Sequence, residues 1–366
     1  MDQRDLDRLL AAMAERDGSD LHIKAGSRPL MRIDGDLRVL ADEDVFSPEE
    51  TELLVEAMMP PRMSEIFEKH REVDFAYSVP SVGRFRVNAF YQRSSVSIVL
   101  RRVRPSAGSA AELGLPGAIY ELAGEQRGLI LVTGPTGSGK TTTLATMIDH
   151  INRNRPCHIV TIEDPIEFLH NDQMASVNQR EVGFDTDTFA SAMRVVLRQD
   201  PDVIFVGEMR DIETAAAALS AAETGHLVLS TLHTIDATET VNRVIDFFPP
   251  HQQSQIRTTL AGAIKGSIAQ RLVRRADGKG RLPAVEVMIA NGRIRQCIAD
   301  PELTGEITQI IAEGEYYGMQ TFDQSLAKLM EEGKITLHEA LQVSSNPHDL
   351  RVMLERRGLV ATGSRW

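Results

Sequence analysis

The stretch GLILVTGPTGSGKT, Gly128 to Thr141, decides the fold. Its first half is a short all-apolar run of the kind buried on both faces of a parallel sheet. Its second half, GPTGSGKT (Gly134–Thr141), satisfies the pattern G-x-x-x-x-G-K-[ST] at every position, and TTTLATMIDHI reads as the helix that opens there. Strand, glycine loop and helix in that order form a phosphate cradle. Gly134, Gly137 and Gly139 let the loop Gly134-Pro135-Thr136-Gly137-Ser138-Gly139 curl so that its N–H groups face phosphate oxygens. Lys140 adds a point charge for the β- and γ-phosphates, Thr141 offers a hydroxyl to Mg²⁺, and Thr142 follows in the first turn of the helix. The expected ligand is a nucleoside triphosphate, ATP with Mg²⁺.

Working outward, HIVTIED, VIFVGE and HLVLSTLH are further short apolar runs separated by amphipathic helical stretches. That alternation predicts an α/β domain with a mainly parallel sheet, whose ligands bind at the carboxyl ends of the strands. TIEDPIEF ends its strand with Glu163 and Asp164, and a carboxylate there can deprotonate an attacking water. VIFVGE ends in Gly207 and Glu208, where an aspartate that helps to hold Mg²⁺ is the common ending. The reading is that Glu208 covers the missing aspartate, reaching the metal through water, while Glu163 is the catalytic base. GHLVLSTLHT carries His226 and His233 at opposite ends of one strand, which argues against a shared metal. His233, at the carboxyl end, is the candidate sensor of the γ-phosphate.

The first hundred or so residues differ in style and predict a small α+β domain. Leu6, Leu9, Leu10 and Met13 mark one face of an opening helix. Asp34-Gly35 within LMRIDGDLRVL reads as a tight hairpin turn, and Ser47-Pro48 with Glu50 as a capped helix start. RFRVNAFYQR and SVSIVLRR read as a strand pair, with Arg84 and Arg86 on the face opposite Phe85 and Val87. The Gly- and Pro-rich Arg104–Gly117 marks the domain boundary, so the expected organisation is 1–103, a linker at 104–117, and 118–366. The chain has 366 residues, 42% hydrophobic, 25% charged and a net charge of -12, values of an ordinary globular protein that disfavour nucleic acid as a bulk partner. Cys157 and Cys297 have no metal-ligand spacing and read as reduced thiols. No apolar run reaches the ~18–20 residues that span a bilayer, so a cytoplasmic chain without direct membrane insertion is expected.

The boxes GPTGSGKT, TIEDPIEF, DPDVIFVGEMRD and ETGHLVLSTLHT together resemble the secretion ATPase superfamily, and within it the type IV pilus retraction ATPases, the PilT family. GSDLH (Gly18–His22), GRFRVNAF (Gly83–Phe90), VNQREV (Val177–Val182) and GMQTFDQSL (Gly318–Leu326) also look like that family, so the resemblance runs along nearly the whole chain. It implies a RecA-like P-loop ATPase domain with a helical C-terminal part, preceded by a small PAS-like α+β domain. It further implies a homohexamer in which Arg86 and Arg101, with Arg84, act as arginine fingers, and His226 belongs to the nucleotide-binding set. The implied partner is an inner-membrane pilus platform protein, with the motor peripheral to the inner face of the membrane.

The family's motif reading roughly A-I-R-N-L-I-R-E corresponds to GRIRQCIAD (Gly292–Asp300), which keeps Ile294, Arg295 and Ile298. The tail ITLHEALQVSSNPHDLRVMLERRG is similar to PilU, an accessory paralogue, which leaves an accessory role open beside the retraction motor. Extension ATPases are usually longer and carry a four-cysteine metal site that two cysteines cannot build. A nucleic-acid translocase would need a basic channel with stacking aromatics, and aromatics make up 5% of this chain.

Overall fold

Alternation of apolar and polar residues shapes the strands of the N-terminal unit, and apolar runs shape those of the larger C-terminal unit. The computed structural model describes residues 3–360 and divides them into two compact units. The division falls between Pro105 and Ser106, with Glu167–Leu169 joining the first unit through a bridge between Arg104 and Phe168.

The first unit is α+β. Strands β1 (Asp20–Lys24), β2 (Leu30–Ile33), β3 (Asp36–Val39), β4 (Glu72–Val79), β5 (Gly83–Gln92) and β6 (Ser95–Arg102) form an antiparallel sheet in the order β3-β2-β1-β6-β5-β4. The hairpin between β2 and β3 turns at Asp34 and Gly35, both at positive φ (52° and 88°), as the Asp-Gly pair requires. Helix Gln3–Glu15 buries Leu6, Leu9, Leu10 and Met13 completely. Helix Pro48–Met58 begins with the expected capping box, the Ser47 side chain accepting from the Glu50 N–H and the Glu50 carboxylate from that of Ser47. That helix packs on β6, and Pro61–His70 on β4. Along β5, Phe85, Val87 and Ala89 are buried while Arg86 is exposed, so one face of the sheet is core and the other presents polar side chains.

The second unit carries the mainly parallel sheet. β7 (Gly128–Thr133), β8 (His158–Glu163), β9 (Ser176–Glu181), β10 (Val203–Val206), β11 (Leu227–Leu232), β12 (Ile264–Arg274) and β13 (Arg281–Ile289) lie in the order β13-β12-β7-β11-β10-β8-β9. Only the β12–β13 pairing is antiparallel. Both faces are covered. Leu129 and Leu131 join a core under the helices Phe189–Val196, Ile212–Glu223 and Ala237–Asp246, while Ile130 and Val132 pack under Lys140–Asn154. Between Arg104 and Gly117 the chain forms a short helix, Ala110–Leu113, with a capping box of Ser109 and Glu112.

Helix Gly292–Ala299 explains what survives of the GRIRQCIAD motif. Ile294 and Ile298 are core, and the Arg295 guanidinium donates to the carbonyls of Ala290, Ala261 and Gly262, closing the end of helix Pro250–Ala263.

The helix Ala237–Asp246, which follows the His233 loop, is fastened at its start by a buried carboxyl. Glu286 in β13 accepts the Ala237 N–H at 2.8 Å and is 4% exposed. Burial, helped by the charges of Asp236 and Asp323 and opposed by the Ala237 bond and Arg271, pushes this carboxyl up from 4.5 to about 7. The folded chain therefore holds a proton that the unfolded chain releases, and stability falls as pH rises from about 4.5 to about 7. We expect Glu286→Gln to remove a loss on the order of 3 kcal/mol over that window. Urea unfolding of both chains at pH 5 and pH 8 measures it: parallel changes in the two would contradict the assignment.

Candidate functional site

Parallel pairing brings the unusual residues to one edge. Thr133 ends β7 opposite Leu232 of β11, and Val206 of β10 stands opposite Ile162 of β8 and Ser230 of β11. The P-loop, Glu163, Gly207-Glu208 and His233 therefore all follow strands at the same carboxyl edge of the sheet. His226 does not join them. It precedes the six-residue β11, about 20 Å along the strand from His233, with its Nδ1 3.0 Å from the Ala221 carbonyl.

The P-loop is shaped by its glycines and by a residue that lies outside every motif. Gly134 (φ 138°) and Gly139 (φ 92°) take backbone conformations that favour glycine, and both press against Gln270 of β12. A Cβ on Gly134 would lie 2.3 Å from the Gln270 carbonyl oxygen, and one on Gly139 would lie 2.8 Å from Gln270 Nε2. The Gln270 side chain, 3% exposed, donates from Nε2 to the Ser138 carbonyl at 2.8 Å and accepts from Thr143 Oγ1 at 2.7 Å. It thus ties the loop to the helix behind it. The Lys140 ammonium donates to the carbonyls of Gly134 and Pro135 at 2.8 and 3.2 Å. Thr141 and Thr142 are half-buried in the first turn, and Pro135, Thr136 and Gly137 are exposed at the loop tip. Ser138 Oγ is buried with no hydrogen-bond partner among the described residues.

The carboxylates are held in different ways. Glu163, 5% exposed, accepts from Thr161 Oγ1 at 2.6 Å and from Gln179 Nε2 of β9 at 3.0 Å. Both bonds fix its orientation. Glu208 is shared between two partners: Oε1 lies 3.1 Å from His233 Nε2, and Oε2 accepts from Arg210 at 2.9 Å. Arg210 also lies 3.8 Å from Asp164. One arginine thus links the ends of β8 and β10.

Gly207 answers why no aspartate stands before Glu208. Its N–H donates to the Ile162 carbonyl, and a Cβ would lie 3.2 Å from that oxygen and 3.5 Å from the Cα of Glu163. A side chain there would sit tight against the backbone of β8, which would have to give by a few tenths of an ångström.

A hydroxyl chain runs under the site. Thr133 Oγ1 lies 3.5 Å from Thr240 Oγ1, which is 2.7 Å from Thr234 Oγ1, connecting the residue before the P-loop to the residue after His233. The arginines belong to the N-terminal unit. Arg86 and Arg101 are direct cross-strand partners on its exposed face, Arg84 stands opposite Ser78, and Arg101 is bound by Asp20 at 2.7 Å.

With this geometry in place, comparison with known proteins decides the lineage. The type II/IV secretion system protein family matches residues 3–352. The chain belongs to that family. It is 42% identical over 345 residues to the type IV pilus retraction ATPase PilT of Pseudomonas aeruginosa, spanning 94% of this chain and 99% of the relative. It is also 42% identical over 352 residues to the type IV pilus ATPase PilU of the same organism, spanning 96% and 91%. A crystal structure of the pilus retraction motor PilT with bound ADP superposes with a TM-score of 0.85 at 46% identity, over 95% of this chain and 99% of that one. The α/β fold with its mainly parallel sheet is that of this family.

Within the family frame, the sequence motifs pointed to the residues at the edge but not to their supports. Arg210 sits inside DPDVIFVGEMRD and Gln179 inside VNQREV, yet neither spacing announces a role. Gln270 has one available signal, an amide directly after the apolar pair Ile268-Ala269 and before Arg271-Leu272-Val273 in a strand that is otherwise mostly apolar. Gln270→Ala leaves the Ser138 carbonyl and the Thr143 hydroxyl without this partner, at a cost of about 1–3 kcal/mol. We expect ATP affinity, measured with a fluorescent analogue, to fall about tenfold while overall secondary structure is kept. Unchanged affinity would show that the loop holds its shape without the amide.

Proposed function

We propose that this chain is an ATP-hydrolysing motor that drives retraction of a type IV pilus. The supporting observation is the gathering of the P-loop, Glu163, Glu208 and His233 at one sheet edge, in a chain similar along 94% of its length to a type IV pilus retraction ATPase. The loop N–H groups and Lys140 bind the triphosphate of ATP, for which the buried Ser138 hydroxyl, unpartnered among the described residues, is a further donor. Thr141 and Glu208 are the residues to hold Mg²⁺, Glu208 partly through water, since hydroxyl and carboxylate are the hard oxygen ligands that ion takes. Bound there, Mg²⁺ supplies charge neutralisation on the phosphoryl oxygens. Glu163, oriented by Thr161 and Gln179, accepts the proton of the attacking water. His233, in contact with Glu208, registers the γ-phosphate.

Arg86 and Arg101, with Arg84, serve as arginine fingers from the N-terminal unit in a homohexameric ring. ATP turnover moves the two units about the hinge at Arg104–Gly117, and the ring turns an inner-membrane platform protein so that pilin subunits leave the filament. The motor works in the cytoplasm at the inner face of the membrane. Among the described residues no helix is long and apolar enough to cross a membrane, so contact with it runs through the partner. A second reading, an accessory ATPase beside a paralogous motor, draws on the equal 42% identity to PilU.

Glu163→Gln is expected to keep ATP binding and to lower turnover by about 10²–10⁴-fold. Steady hydrolysis by that variant would remove Glu163 from the role of base. In a strain lacking only this protein, abundant surface pili without surface motility are the expected result. Normal pili with weakened motility would favour the accessory reading, and bald cells would overturn retraction altogether.

A further inference from the structure

The exposed face of the N-terminal sheet carries a row of charged residues in direct register across four strands. Arg32 of β2 stands opposite Asp20 of β1, Asp20 opposite Arg101 of β6, and Arg101 opposite Arg86 of β5. Asp20 is the one acid in the row, and it is 4% exposed. Its Oδ1 accepts from Arg101 Nε at 2.7 Å, its Oδ2 accepts from Ser19 Oγ at 2.7 Å, and Arg32 Nε lies 3.9 Å away. Burial alone would push this carboxyl up, but the bonds from Ser19 and Arg101 and the Arg101 charge hold it below the usual carboxylate range. It is therefore ionised across the pH range in which the chain works.

The choice of atom on Arg101 matters. Asp20 takes the Nε–H, and among the described residues that is the only hydrogen bond of the guanidinium, whose side chain is 66% exposed. Its two terminal amino groups keep their donors for another acceptor. An ion pair this exposed contributes little to stability in itself, so a purely structural role accounts poorly for burying a carboxylate beneath it. A planar fork anchored at Nε has lost much of its rotational freedom before any ligand arrives, and the remaining pair of donors matches the oxygens of a phosphate.

We propose that Asp20 is a positioning residue, which fixes Arg101 by its Nε so that the terminal donors of the guanidinium engage the phosphates of the nucleotide. The proposal rests on the reading of Arg101 as an arginine finger. It gives the aspartate of GSDLH a task that neither its position in the sequence nor its distance from the P-loop along the chain suggests.

The test uses the full-length purified chain and steady-state ATP hydrolysis. Asp20→Asn keeps the shape and removes the charge. We expect kcat to fall about tenfold, a fraction of the 10³–10⁵ that a whole arginine finger supplies, with KM for ATP within about twofold of the parent. In an Arg101→Ala background, Asp20→Asn should add less than about a twofold change, because the group it positions is gone. Arg101→Lys, which has no Nε–H fork, should lower kcat much as Asp20→Asn does, and it tests the idea even where Asp20→Asn disturbs folding. Full turnover in Asp20→Asn or Arg101→Lys, with Arg101→Ala inactive, would overturn the positioning role while leaving the finger in place. An equal loss from Asp20→Asn with and without Arg101 would show that Asp20 acts through the fold. Parent-like turnover in Arg101→Ala would remove the finger itself, and with it the proposal.

Discussion

Four neighbouring strands, β7, β11, β10 and β8, run parallel and in register, and the working edge of the molecule follows from that constraint. Their apolar residues feed the cores on both faces of the sheet, so the strands cannot slide independently. A shift of one residue would exchange the two faces along a strand, carrying Leu129 and Leu131 to the side of Ile130 and Val132. Fully burying one such side chain contributes roughly 1.5–3 kcal/mol. Mispacking several at once would consume a net stability of only about 5–15 kcal/mol. The alignment of the strand ends is thus enforced by the core, and it delivers together the polar residues that follow them.

That delivery brings an electrostatic difficulty. Glu163, Asp164 and Glu208 arrive at the edge where a phosphate chain is to bind, and like charges at short range repel strongly where water is scarce. The structure answers with one cation, Arg210, and an imidazole beside the same residues. Arg210 reaches both Glu208 and Asp164, and His233 meets the other oxygen of Glu208. Glu163 instead accepts from a hydroxyl and an amide, those of Thr161 and Gln179. The carboxylate read as the base and the one read as the metal arm thus differ in the donors that hold them.

What the sequence could disclose follows the range of the interactions involved. The P-loop, the Asp34-Gly35 turn, the Ser47 cap and the strand ends at Glu163, Glu208 and His233 are local, each written within a few residues, and each was legible. The alternation that set Arg84 and Arg86 apart from Phe85 and Val87 is local too. Gln270 was not legible because its partners Ser138 and Thr143 lie more than a hundred residues away. The Asp20–Arg101 pair spans 81 residues, and only the pairing of β1 with β6 reveals it. The glycine of VIFVGE stands out in the sequence, yet the nearness of Ile162 and Glu163 to it appears only once β8 and β10 are neighbours. His226 lies the other way round: the resemblance places it in the nucleotide-binding set, and the length of β11 sets it at the opposite edge of the sheet from His233.

The charged row on the N-terminal sheet has an evolutionary consequence. Arg32, Asp20, Arg101 and Arg86 meet because each occupies the right parity on its own strand. Deleting or inserting one residue inside β1, β5 or β6 would turn part of the row toward the helix-covered face, whereas the same change in a connecting loop would leave it intact. Descendants of this chain are therefore free to vary in length between these strands but not within them. A lineage that drops a residue inside β1 must lose the aspartate's hold on Arg101 in a single step, with no intermediate form that keeps half of it.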